Sequence, residues 1–356
     1  MLPVWIPSKI IILIQMRLPR PITGRRQWQS FPKDFKNMDD CIQEALANYN
    51  IAATEIELLR HNENLTYRVG NEYLLQIHEP AEGFSAEFFY DGVERFEIYK
   101  SELAFQAHLK KQSMQIREAV ENRYGELITK LQNGTYVTVS KWLDGESLDK
   151  LELNDAICYQ IGDMLARLHQ KAKGFRVSPV KTYGKQHCEC TKRRFQALEN
   201  LGLSNEYSLI MQKCCDHAGA VLENVQDEFQ MIHGDLSASN ILQTPDGLVP
   251  IDFSFFGMGH PMYDLAVLFG NIGGSLARRQ QMAEGYRNTG GTIRYDVLDA
   301  CFVLTLLDCL GIHYEQWSKQ EWFAPRMQRW HKENLIPYVQ GECIYADDFY
   351  LLHVQG

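Results

Sequence analysis

The chain is 356 residues long and 45% hydrophobic, with a formal net charge of −9 at pH 7. Such a length buries a large core and suits two lobes or domains, while the acidic balance argues against a general nucleic-acid binder, because phosphate backbones select basic faces. Nine cysteines are scattered through apolar segments without a disulfide framework, which points to a reducing cytosol.

Charge is uneven along the chain. Residues 1–37 carry seven Lys/Arg and one acidic residue, residues 38–143 carry ten and seventeen, and residues 144–356 carry nineteen and twenty-seven. The first segment reads as a leader, either disordered or an over-long gene start. Its apolar run Ile10–Ile14 is too short to span a bilayer, so no membrane anchor is expected. The basic residues follow that run, the reverse of a signal peptide. With an over-long start, Met38 is the natural first residue, opening a helix over Asp39–Tyr49.

From Thr54 the pattern turns to strands. Asn64–Val69 and Tyr73–His78 flank a Gly70-Asn71-Glu72 turn, a hairpin signal. A helix follows over Phe96–Lys110, with Leu103 and Leu109 on its apolar spacing. Thr135–Leu143 alternates and runs into the turn Asp144–Leu148, which predicts an edge strand. Beyond it the chain is mostly helical, most clearly over Ile161–His169 and Leu298–Ile312. This is an α+β chain: a smaller antiparallel-sheet lobe over 38–143 and a larger helical lobe over 144–356.

Three features of the larger lobe take structural readings. His169 is expected to pack or cap. Tyr314, Trp317, Trp322 and Trp330 could line a cationic pocket, but helical core packing is the preferred account. His187-Cys188-Glu189-Cys190 and Cys214-Cys215 lack Cys-x-x-Cys spacing, so structural zinc is not expected.

The chemistry concentrates in His233-Gly234-Asp235-Leu236-Ser237-Ala238-Ser239-Asn240 and, twelve residues on, Asp252-Phe253-Ser254. Between them, Ile241–Ile251 reads as two short strands about a Pro-Asp-Gly turn. A hairpin centred on Asp246 brings Asn240 and Asp252 opposite one another at its open end. One amide and one carboxylate oxygen then share a site suited to Mg²⁺, a hard cation that keeps phosphate and water ligands. Asp235, beside that metal, is placed to accept a hydroxyl proton. Phosphoryl transfer needs little more than such positioning and charge neutralisation.

The His-Gly-Asp loop, the Ile251-Asp252-Phe253 strand and the later Tyr263-Asp264-Leu265-Ala266 helix start resemble, in order and spacing, the aminoglycoside phosphotransferase and choline kinase superfamily. The resemblance implies a bilobal protein-kinase-like fold, ATP as co-substrate and Mg²⁺. It implies catalysis by Asp235, metal binding by Asn240 and Asp252, and support of the catalytic loop by Asp264. It places Arg60–Glu63 over the phosphates, although that segment has no glycine. In the family the third strand supplies a cation to the α- and β-phosphates, and here that position falls on Gln76. Glu102 matches the helix glutamate that pairs with the strand cation, and with Gln76 that contact becomes a hydrogen bond. Arg68 and His78 are the nearby groups that could compensate. The resemblance places the interlobe hinge on Lys141, Trp142 and Leu143, whose backbone would hydrogen-bond adenine, and so the lobe boundary near residue 144.

The expected function is transfer of the γ-phosphate of MgATP to a hydroxyl of a small molecule. Only Phe255–Met262 separates Ser254 from Tyr263, too little for the activation segment of a regulated protein kinase. The acidic large lobe suits cationic acceptors such as aminoglycosides or amino alcohols, and homoserine and sugars stay open, as does the oligomeric state. Two other readings stand beside this one. Gln76 and the glycine-free loop fit a nucleotide-binding pseudokinase, and Glu63-Asn64 resembles the strand start of stress-response protein Ser/Thr kinases of the same superfamily.

Overall fold

The structure, a computed structural model, describes residues 35–53, 55–90 and 92–345; the leader expected over 1–37 lies almost wholly outside the described residues. The first described helix, α1, is Phe35–Asn48, beginning three residues before Met38. Strands β1 (Ile56–His61), β2 (Leu65–Val69) and β3 (Tyr73–Ile77) follow, then the short α2 (Glu87–Tyr90), α3 (Arg95–Lys111), β4 (Ile128–Lys130) and β5 (Tyr136–Lys141). The five strands form one sheet in the order β1-β2-β3-β5-β4, and every pairing is antiparallel.

Alternation builds this sheet. Leu65, Tyr67 and Val69 on β2, Leu75 and Ile77 on β3, and Val137 and Val139 on β5 pack with Ile42, Ala45, Leu46 and Tyr49 of α1, as period-2 strands against one helical face require. The turn between β2 and β3 runs through Gly70 at φ +57°, so the expected hairpin is present, with Val69 opposite Tyr73. One expectation is corrected here. Thr135–Leu143 is not an edge strand, because the three-residue β4 pairs along the outside of β5. A strand that short has no periodicity to read.

The second lobe opens with β6 (Glu146–Ser147) and the helices α4 (Asp155–Ala172), α5 (Lys185–Glu199) and α6 (Asn205–Glu223). Short strands β7 (Gln230–Ile232), β8 (Ile241–Thr244), β9 (Gly247–Pro250) and β10 (Gly257–Gly259) come next. Helices α7 (Met262–Asn271), α8 (Leu276–Asn288), α9 (Tyr295–Trp317), α10 (Phe323–Trp330) and α11 (Ile336–Val339) complete it. β8 and β9 form the hairpin expected between the two halves of the motif, and β7 pairs with β10.

The helical core is anchored by α9, whose Leu298, Phe302, Leu307 and Leu310 are buried. By length and composition α9 could cross a membrane, but 83% of its apolar window is buried inside the fold. Of the C-terminal aromatics, Tyr314, Trp317 and Trp330 are buried, while Trp322 is 41% exposed and rests edge-on against Trp317. Trp317 packs on Trp322 and Trp330, and Tyr314 packs edge-on against Phe323. His187, within the cysteine-rich segment, bonds the Asp308 carboxylate at 2.9 Å.

Helix α4 lies against α8 at glycine contacts. A Cβ on Gly162 would come within 1.9 Å of Met282 O, and one on Gly285 within 2.0 Å of Tyr159 O. This close approach brings His169, on the last turn of α4, to Tyr286 of α8 and under the loop that follows β7.

Candidate active site

The loop His233–Asn240 leaves β7 and is held from below by a carboxylate. Asp264, fully buried in the first turn of α7, accepts the backbone N–H of His233 at 2.9 Å and of Gly234 at 2.7 Å. His169 Nε2 donates to the same carboxylate at 3.0 Å, and Tyr286 donates its hydroxyl to His169 Nδ1 at 2.9 Å. Burial alone would raise the Asp264 pKa, but these hydrogen bonds and the neighbouring imidazoles outweigh it and hold the group below the usual aspartate range. Gly234 has φ +82°, and a Cβ there would stand 2.0 Å from Phe255 O. Only glycine fits this turn. His169 is therefore the packing residue expected, with a specific task of bracing Asp264.

His233 also shapes the loop. Its Nε2–H donates to Ile251 O at 3.1 Å, and its Nδ1 accepts from the Asp235 amide at 3.3 Å. Burial lowers its pKa to about 4, so the ring is neutral near pH 7.

Asp235 stands at the turn of the loop. Asn240 donates through Nδ2 to Asp235 Oδ2 at 2.8 Å and to Asp235 O at 2.9 Å. Burial, and then the Glu63 carboxylate reaching in from the sheet lobe, push the Asp235 pKa up to about 7; Arg60 and the Asn240 hydrogen bond pull against them. A carboxylate tuned there exchanges a proton near neutrality, as a general base must.

The hairpin delivers Asp252, with a corrected register. Ile241 pairs with Pro250, and Ile251 N donates to Asn240 O at 2.9 Å, so Asn240 faces Ile251 rather than Asp252. The turn centres between Pro245 and Asp246, half a residue from the expected point. Asp252 follows with φ +65°, a left-handed conformation in which Asp is enriched among non-glycine residues. Ser254 donates to Asp252 Oδ1 at 2.6 Å, and Asn64 of the sheet lobe donates to Ser254 Oγ at 3.4 Å.

A guanidinium already bridges the two expected metal ligands. Arg60 Nη2 is ion-paired with Asp252 Oδ2, and Arg60 Nη1 donates to Asn240 Oδ1 at 3.4 Å. Arg60 lies on β1 where the pairing register with β2 shifts between Leu58 and Arg60, a bulge of the kind that re-aims a side chain. Among the described residues no three His, Cys, Asp or Glu side chains converge as metal ligands. The Asn240–Asp252 pair instead offers two oxygens that together hold a cation, the donor set that suits Mg²⁺ carrying phosphate and water oxygens.

The sheet lobe contributes the other wall. Gln76, on β3 between Thr66 and Thr138, lines the same cleft as Glu102, Arg117, Ser140 and Asp252. Among the described residues no hydrogen bond joins Gln76 to Glu102, contrary to expectation. Glu102 accepts Gln106 Nε2 at 2.8 Å, one helical turn along α3. Burial, and then Glu63, raise its pKa to about 8, so it stands protonated at pH 7, and among the described residues no ion pair engages it. His78, stacked on Tyr99 and bonded to Asn64 and Thr138, is held neutral by burial. Arg68 lies over the Trp142 ring and bonds Gly70 O and Asn71. Neither is the compensating cation.

At the hinge, the Lys141 amide donates to Glu118 O at 2.7 Å and the Trp142 amide to Glu72 O at 2.6 Å. These two N–H groups are spent within the fold. The sequence reading missed Arg117 outright, and it placed Arg60 and Ser254 near the site without a role there. Arg60 depends on a bulge, Ser254 on the turn at Asp252, and Arg117 on a loop without periodicity, so none had a local pattern to reveal it.

Residues 55–300 match the model of the phosphotransferase enzyme family. No curated protein matches the chain. Among solved structures, a microcompartment-associated aminopropanol kinase is similar at TM-score 0.65 and 20% identity, over 85% of this chain and 98% of that one. An amicoumacin kinase in complex with AMP-PNP, Ca²⁺ and Ami is similar at TM-score 0.65 and 14% identity, over 86% and 96%. A choline kinase from Streptococcus pneumoniae is similar at TM-score 0.58 and 17% identity, over 85% and 100%. The chain belongs to the phosphotransferase enzyme family and carries a protein-kinase-like fold.

Proposed function

We propose that this phosphotransferase moves the γ-phosphate of ATP, bound with Mg²⁺, to a hydroxyl of a cationic small molecule of the amino-alcohol or aminoglycoside class. The observation that carries the reading is the relation of Asp235 to Asn240: Asn240 Nδ2 fixes the carboxylate at 2.8 Å, while Oδ1 of the same side chain shares a cation with Asp252. One amide thus couples the base to the phosphate-bearing site.

Asn240 and Asp252 would hold the metal, which when bound neutralises phosphate oxygens. Asp235 orients the acceptor hydroxyl and takes its proton as the oxygen attacks the γ-phosphorus. The acceptor O–P bond forms, the bond to the β–γ bridging oxygen breaks, and ADP leaves. With the Lys141 and Trp142 amides engaged, we assign the Leu143 amide as the hinge donor to adenine.

The acceptor class is supported by the similar structures, which include an aminopropanol kinase and a choline kinase, and by the charge of the helical lobe. Buried thiols such as Cys158, Cys188, Cys214 and Cys301, none in a disulfide, support a reducing, cytoplasmic setting. Gln76 in a cleft wall favours a second reading, a nucleotide-binding pseudokinase. A panel assay separates them: Mg²⁺-dependent transfer of labelled γ-phosphate from ATP or GTP to amino alcohols, aminoglycosides, homoserine, sugars and protein. Transfer to a cationic alcohol supports the proposal. Nucleotide binding without transfer to any of them favours the pseudokinase, and label on protein alone favours a protein kinase.

A further inference from the structure

The part of the cleft lining that β3 and α3 supply through Gln76 and Glu102 is neutral where charge is needed. Gln76 has no charge, and among the described residues the hydrogen bond of Glu102 runs along its own helix. A triphosphate bound here would need a cation on the sheet side.

Arg117 supplies one. It lies in the segment between α3 and β4, which is pinned on both sides of it. Ile116 is buried among Phe105, Leu109, Phe253 and Phe256. Glu118 O takes the Lys141 amide at 2.7 Å, Ala119 bridges Ser140, and Val120 N donates to Val139 O at 2.9 Å. The segment therefore runs along the end of β5, and Arg117 enters the cleft shared by Gln76, Glu102, Thr138 and Asp252. Its Nε is buried without a hydrogen-bond partner. Leaving a buried charged donor unmet is costly, and an anion in the cleft is the group that would meet it. Burial, and then the nearby Arg60, lower the guanidinium pKa to about 10, which still leaves it cationic at pH 7.

We propose that Arg117 binds the phosphates of the nucleotide, taking from a loop beside β5 the role that Gln76 on β3 cannot fill. This rests on the reading of the cleft as the MgATP site. A guanidinium suits the task because its planar fork can meet two phosphate oxygens at once.

Calorimetric titration of the full chain with MgATP and, separately, with adenosine tests it. Arg117→Ala should weaken MgATP about 10- to 100-fold, the loss of one charge-assisted contact, and leave adenosine within about twofold. Arg117→Lys should retain most of the MgATP affinity, and adding Gln76→Lys to Arg117→Ala should recover it by restoring a cation on the same wall. Thermal melts of each variant confirm that folded protein is compared. MgATP affinity unchanged in Arg117→Ala overturns the proposal, as does an equal loss for MgATP and adenosine, which would make Arg117 a structural residue. Wild-type protein that binds adenosine or MgATP nowhere in this cleft overturns the nucleotide reading itself, and the Arg117 proposal with it.

Discussion

Arg60 on the sheet lobe is ion-paired with Asp252 on the helical lobe, and its other Nη reaches Asn240 Oδ1. One guanidinium thus closes the cleft on the two oxygens proposed to take a divalent cation. The side chain is 29% exposed, so solvent screens the pair and its worth is modest.

Competition for those oxygens gives the first prediction. Arg60→Ala removes the internal cation, so Mn²⁺ added without nucleotide should bind the variant roughly fivefold more tightly than the wild type, the equivalent of about 1 kcal/mol. Electron paramagnetic resonance of free Mn²⁺ measures this directly. Equal affinities would mean that Arg60 and the metal do not share ligands.

The pH dependence follows from Asp235. Its pKa is raised to about 7 by burial and then by Glu63, and only the ionised form accepts a proton. Activity measured as kcat/KM should therefore rise with pH through about 7 and fall tenfold per unit well below it. Glu63→Gln removes the larger of the two carboxylate charges that raise it, Glu63 and Asp264, and should move this acid limb to lower pH. A limb that stays in place in Glu63→Gln would assign the titration to another group.

Glu102 makes stability depend on pH. Its folded pKa is raised from an ordinary 4.5 to about 8, so folding holds a proton that the unfolded chain releases. That contribution is fully present below about 4.5 and is lost as pH rises to about 8. Glu102→Gln mimics the protonated form and escapes the loss. The variant's melting temperature should pull ahead of the wild type's progressively between pH 5 and pH 8, read by differential scanning calorimetry across that range.

Asp264 carries a larger structural load. Asp264→Ala leaves the His233 and Gly234 amides and His169 without their acceptor in a fully buried place. Unfolding free energy in urea should drop by about 3 kcal/mol or more. His169→Phe should cost less, because the two backbone amides keep their partner.

Much of this was legible in the sequence because the motif is local. Asp235, Asn240 and Asp252 fall within one loop and hairpin, and turn residues at Pro245–Gly247 fold that hairpin almost in the expected register. The helices over α3, α4 and α9 and the β2–β3 hairpin follow from periodicity that tertiary packing does not override. What escaped depends on long-range or aperiodic geometry. β4 is too short to show alternation, and its presence turns β5 from an edge strand into an inner one. Arg60 is aimed by a bulge, Asp252 by a left-handed backbone, and Arg117 by a loop whose path is set by its backbone bonds to β5. The expected Gln76–Glu102 contact failed for a related reason: Gln106, one turn along the same helix, offers Glu102 a nearer donor.

The most direct test of the central claim is transfer of labelled γ-phosphate to the best acceptor of the panel, compared between wild type and Asp235→Asn. Asparagine keeps the size of the side chain and removes the base. The account predicts that turnover falls about 10³-fold while the fold and MgATP affinity stay close to wild type. Turnover retained within a few-fold would contradict it and remove Asp235 from the chemistry.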